Sequence, residues 1–149
     1  MTLVAALHYF AAAIWVGGLF FMLAIMRPAS AGRMDPSARL PLWHRGFKHF
    51  IAWMWGSVGM ILVTGYALVY ADEDGKLAPF VHLKHALAWI ALIILAYMTW
   101  GPLRATTLAV EHGDRPKAAR HLFKLRMLSA GLLALGALAL LAAAAGRNN

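Results

Sequence analysis

Four stretches of the chain, approximately residues 3–26, 47–70, 81–100 and 123–145, are apolar over about the 20 residues that a helix needs to cross a hydrocarbon core. Nothing else in the sequence constrains the fold as strongly. The chain has 149 residues, 62% hydrophobic and 13% charged, with a mean hydropathy of +0.65. A single soluble domain of that size has too little interior to hide so much apolar surface. The natural solvent is the bilayer. Ala29-Ser30-Ala31 imitates the small-residue cleavage site of a secretory signal. However, the first run starts without basic residues and is longer than a signal's apolar region, so it reads as a membrane helix.

The charges fall between the runs. Arg33, Arg39 and Arg45, flanked by Arg27 and Lys48, separate the first two; Arg104, Arg115, Lys117, Arg120, Lys124 and Arg126 separate the last two. The positive-inside rule makes residues 27–46 and 101–122 cytoplasmic loops. The middle connection carries Asp72, Glu73, Asp74 and Lys76, with Lys84 beyond it, and Arg147 is alone at the C-terminal end. Both termini are therefore expected outside a bacterial inner membrane, in the periplasm of a Gram-negative cell. The net charge of +8 then faces anionic lipid, and no nucleic-acid partner is expected. His112-Gly113-Asp114 reads as a turn, followed by an interfacial helix over Lys117–Lys124. The expected fold is all-α: one four-helix transmembrane domain, an up-and-down bundle with both termini outside. Gly17, Gly18, Gly56, Gly59, Gly65, Gly131 and Gly136 read as sites of close helix approach.

There are no cysteines, which excludes thiolate metal sites, iron–sulfur clusters and cysteine nucleophiles. No Asp or Glu lies within an apolar run, and no Gly-rich phosphate loop or HExxH motif is present, which argues against hydrolysis and carboxylate-driven proton pumping. Ionisable residues inside a membrane are costly and point to function, and the histidines sort by depth. His8 in helix one and His82 and His85 at the start of helix three share an outer layer, because those helices run in the same direction. His49, with His44 just before it, and His121 lie at the cytoplasmic end. His82 and His85, three apart, share a face, while Lys84 turns away to the interface.

His8, Trp15, Gly18 and Met22 make one stripe on helix one. On helix two His49, Trp53, Gly56, Met60 and Thr64 repeat at helical spacing, a second bundle-facing stripe with the mixture that surrounds a flat macrocycle. Trp15, Trp53 and Trp89 are the tryptophans placed to wall a cofactor. A single histidine in the first turns of a membrane helix is ordinarily interfacial; two parallel helices placing histidines in one layer weigh against that here. His44, His112 and His121 read as solvated, and Met22 with Met26 as packing in preference to a copper relay.

Leu7-His8 followed by Trp15-Val16-Gly17-Gly18-Leu19-Phe20 resembles the first helix shared by copper-resistance protein D (CopD)-like membrane proteins and HemJ-type protoporphyrinogen oxidases. His44-Arg45-Gly46-Phe47 with Thr64-Gly65 is similar to the CopD domain. His82-Leu83-Lys84 resembles the H-x-K of HemJ and the lysine opening the matching CopD helix. The HemJ resemblance implies haem b bound through His8, with the His82 and Lys84 neighbourhood important for activity. Met22 to Pro28 departs from the HemJ pattern at the end of helix one. The CopD resemblance implies copper handling across the inner membrane, with a periplasmic copper carrier as partner.

Three expectations follow. In the first, haem b sits between helices one and three near the outer face, with His8 as one axial ligand and His82 or His85 as the other. Trp15 and Trp89 wall it, Lys84 lies beside it, and electrons pass to a redox partner or quinone. A second haem would use His49 and His121. In the second, His8, His82, His85 and methionines form a transient site for monovalent copper without haem. In the third, the chain is a helper subunit whose histidines do no chemistry. Association with a second copy is compatible with each.

Overall fold

The computed structural model describes residues 2–71 and 79–145. Among them there are four helical rods, each long and apolar enough to cross a membrane, and no strand. The first, α1, runs over Leu3–Phe20, through a π-helical turn at Phe21–Met26 and a last turn at Arg27–Ser30. The second, α2, is unbroken over Pro36–Tyr70. The third, α3, covers Pro79–Met98, a π-helical turn at Thr99–Leu103, and Arg104–Glu111. The fourth, α4, covers Arg115–Ala145. Asp72, Glu73, Asp74, Lys76 and Arg147 lie outside the described residues.

The expected loops 27–46 and 101–122 are corrected to tight turns. Gly32 at φ +74° and Gly113 at φ +72° supply the left-handed backbone these reversals require. Pro36 opens α2 as the first helical residue, where its missing N–H leaves nothing unsatisfied. The Asp114 carboxylate accepts from the Lys117 N–H at 3.0 Å and caps α4; the expected interfacial helix is simply the start of that rod. Hydropathy marks where a helix enters hydrocarbon and not where it ends. At 1.5 Å per residue the 35 residues of α2 extend to about 52 Å, well beyond the core of about 30 Å.

The two turns make α1–α2 and α3–α4 antiparallel pairs. Neighbours pack in the order α1, α2, α3, α4 and back to α1, and α2 also reaches α4 across the middle, whereas α1 and α3 occupy opposite corners. Phe47 and Met54 of α2, Leu19 of α1, Leu95 and Met98 of α3, and Leu125 and Leu132 of α4 fill the centre and are fully buried. The π turns lie at or beside Pro28 and Pro102; a widened turn accommodates residues that cannot donate a backbone hydrogen bond.

Only some of the glycines mark close approach. A Cβ on Gly136 would lie 2.8 Å from Val16 Cγ2, and one on Gly18 would meet the Phe50 ring. Gly17, Gly56, Gly59 and Gly131 face open space, which corrects the packing role expected for them. The helix-two stripe is likewise corrected. His49, Trp53, Gly56 and Met60 are exposed, Trp53 at 66%, because the core face of α2 is the opposite one, with Trp43, Phe47, Ile51, Met54 and Val58. That face consists of larger apolar side chains, and their burial sets the rotation of the helix.

Gly136→Val is expected to overpack the α1–α4 seam and lower stability by about 1–3 kcal/mol. Gly56→Ala, with room for its methyl, is expected to be neutral or stabilising by up to about 1 kcal/mol. Thermal unfolding midpoints in detergent measure both.

Candidate functional site

The end of the bundle away from the two turns brings His8 of α1 against α2. His8 Nδ1 lies 2.9 Å from Thr64 Oγ1, and the Nδ1–Cε1 edge of the ring rests on Gly65, where an added Cβ would come within 3.4 Å of Cε1. Thr64 is buried, and its hydroxyl donates to the Met60 carbonyl one turn back. A hydroxyl has one proton. With that proton on Met60, the contact with His8 has one polarity: Nδ1–H donates and Oγ1 accepts. A neutral imidazole in this arrangement is the Nδ1–H tautomer, with its lone pair on Nε2.

The next residue but one, Tyr66, faces the other neighbour. Its ring lies 4.7 Å from the ring of His85 at 58°, and its hydroxyl accepts from Trp89 Nε1 at 3.1 Å. Two residues apart on a helix differ in direction by about 200°, so Thr64 holds α1 and Tyr66 holds α3. His85 is half-buried while His82 is exposed. The shared outer layer thus holds His8 on Thr64 and His85 on Tyr66, on opposite sides of α2, and leaves His82 exposed. Among the described residues no three His, Asp or Glu side chains converge as a metal site.

A slot between α1 and α3 walled by Trp15 and Trp89 is not formed, because these helices stand at opposite corners. Trp15 is 5% exposed within the apolar core, with its Nε1 buried and without a hydrogen-bond partner, and Trp89 is 47% exposed on the α2–α3 seam. The stripe on α1 does face inward: Trp15 and Met22 are buried and His8 is half-buried. For haem, the residues fit one oriented axial ligand, with the hydrogen bond on the second ring nitrogen that such ligands ordinarily carry. They do not fit a macrocycle in the middle of the bundle, where large side chains occupy the space.

At the turn end the proposed second pair is not brought into a site: His49 is on the outward face of α2, and His121 is half-buried near the start of α4. His44, expected to be solvated, is half-buried and bonds Thr107 across the α2–α3 seam at 2.9 Å from Nε2. Thr107 Oγ1 also donates to the Leu103 carbonyl, so here Nε2–H is the donor. Sequence reasoning missed this link because Thr107 falls within the expected loop. Tyr66 was missed because nothing in its own segment marks it; the signal lies in α3, where His85 and Trp89 are one turn apart.

Thr64→Val keeps the shape and removes the acceptor. It is expected to cost about 1 kcal/mol, the scale of interhelical hydrogen bonds in membranes, and to shift the imidazole nitrogen resonances of His8 away from a fixed Nδ1–H tautomer. Nitrogen-15 NMR of histidine-labelled protein and unfolding midpoints check the two parts.

Comparison with family models, with curated proteins and with solved structures finds no match for this chain.

Proposed function

We propose that the chain is a redox protein of the inner membrane in which His8 is an axial ligand to haem b, in keeping with the CopD-like and HemJ-type resemblance of its first helix. The observation that carries this reading is the His8–Thr64–Met60 relay. In the neutral imidazole this relay leaves the lone pair on Nε2, the form that ligates iron. Of the two α3 histidines, the half-buried His85 on the α2–α3 seam, and not the exposed His82, is the one that would supply a second imidazole. Lys84 adds positive charge to the same layer, suited to the carboxylates of a haem or to an anionic redox partner. A bound haem supplies one-electron chemistry; the chain's own residues orient the ligand and seal the layer beneath it with the packed core. With the basic turn end in the cytoplasm, this layer and both termini face the periplasm, open to a quinone or a redox partner.

The second reading is transport or detoxification of monovalent copper, with delivery by a periplasmic carrier. One observation favours it. The space between α1 and α3 is filled, and a copper ion held by two imidazoles needs far less room than a macrocycle.

Absorption spectra of the detergent-purified protein, oxidised and dithionite-reduced, with haem and copper quantified per chain, separate the two. A Soret band with sharp reduced bands, lost in His8→Ala, is the expected result, and Thr64→Val should weaken the ligand's hold by about 10–100-fold. A colourless protein that retains copper unless His8 is removed would establish the second reading. A colourless, metal-free protein after expression with ample haem would refute both.

A further inference from the structure

At the turn end, the first turn of α2 and the first three turns of α4 form the walls of a half-open cleft of about 210 Å³ lined by Ser37, Arg39, Arg115, Leu122 and Arg126. Three arginines on two helices converge there, and among the described residues none has an ion-pair partner. Arg126 is held in place. Its guanidinium carbon sits 4.3 Å from the centre of the Trp43 ring, and its Nε is buried without a hydrogen-bond acceptor. Trp43 is itself fixed, because its Nε1–H donates to Ser30 Oγ at 3.0 Å and that hydroxyl bonds the Arg27 carbonyl. Arg27 and Arg39 place further positive charge close to Arg126.

Mutually repelling guanidiniums cost free energy unless an anion joins them. The forked donors of arginine match tetrahedral oxyanions and carboxylates. The volume equals that of several water molecules, enough for a phosphate group. The position favours the phosphate of a membrane lipid: α2 outruns the hydrocarbon core, and the basic turns mark the headgroup level. Ser37 adds a hydroxyl at the start of α2, where the backbone N–H groups also favour an anion.

We propose that this cleft is a phosphate-binding site that takes the headgroup of an anionic phospholipid, or a free phosphate of the same chemistry, between α2 and α4. The inference is independent of any cofactor at the His8 end.

Native mass spectrometry of the full chain, delipidated in a non-ionic detergent, tests it against an equimolar mixture of phosphatidylglycerol and phosphatidylcholine, with inorganic phosphate titrated separately. Retention of phosphatidylglycerol over phosphatidylcholine is expected. Arg39→Gln and Arg115→Gln should each reduce it by about fivefold, the effect of one cationic side chain at a membrane surface. Lys124→Gln, exposed on α4 and outside the cleft, should leave it unchanged. Arg126→Gln also removes a packing contact, so the first two variants carry the test. Phosphate that binds alone and displaces the lipid would assign the site to a soluble phosphate; lipid retention insensitive to phosphate would assign it to the headgroup. Equal retention of both lipids with no phosphate binding would overturn the proposal. So would an equal loss in Lys124→Gln, which would mean diffuse surface charge and no built site.

Discussion

Five side-chain hydrogen bonds among the described residues join different helices, and each of the five has one end on α2. Its Trp43 donates to Ser30 of α1 and its Thr64 accepts from His8; its His44 and Trp55 reach Thr107 and Thr99 of α3, and its Tyr66 accepts from Trp89. The bilayer core offers no water, so each polar group buried there needs a protein partner. Four of these bonds share one construction. A ring N–H donates to a hydroxyl, and that hydroxyl returns its own proton to a carbonyl of its own helix one turn back. The one proton of the hydroxyl is used by the arrangement, so toward the ring it acts as acceptor. The state of His8 follows from this, as does the location of the candidate site where α2 separates α1 from α3.

Apolar packing and these bonds divide the work. Phe47, Met54 and Val58 give α2 the burial that fixes its rotation, and the hydrogen bonds fix its height against α1 and α3. Hydrocarbon provides little net drive for helices to associate, so close van der Waals fit at points such as Gly136 against Val16 counts for more than apolar area. The outward face of α2, with Trp53 and Met60 exposed, is compatible with a lipid-facing surface. Aromatic residues there need no buried partner.

The four spans were legible because continuous apolarity is a signal that does not depend on context. The His112-Gly113-Asp114 turn was legible too, through a glycine that the reversal requires. The inward stripe of His8, Trp15 and Met22 could be read because α1 is apolar throughout and these residues are spaced by the helix repeat. The same reasoning failed on α2, where two opposite faces both carry helical spacing. Choosing between His49-Trp53-Met60 and Phe47-Met54-Val58 requires knowing which side meets neighbours, and spacing alone carries no such information. The pairing of α1 with α3 failed for a related reason. Shared depth follows from topology, but shared depth is not adjacency, and in a four-cornered bundle the alternate helices are the ones held apart.

The two π-helical turns, at Phe21–Met26 and Thr99–Leu103, add one residue to the local repeat of α1 and α3. Side chains beyond each are therefore turned by about 100° from where an unbroken helix would aim them. α2 and α4 contain no such step among their described residues. In α1 and α3 the segments that carry His8 and His85 are thus out of phase with the segments beyond the π turns, which carry Ser30 and Thr107 to their bonds with α2. The arginine cleft, built on the uninterrupted α2 and α4, keeps one helical phase with the core face of those rods.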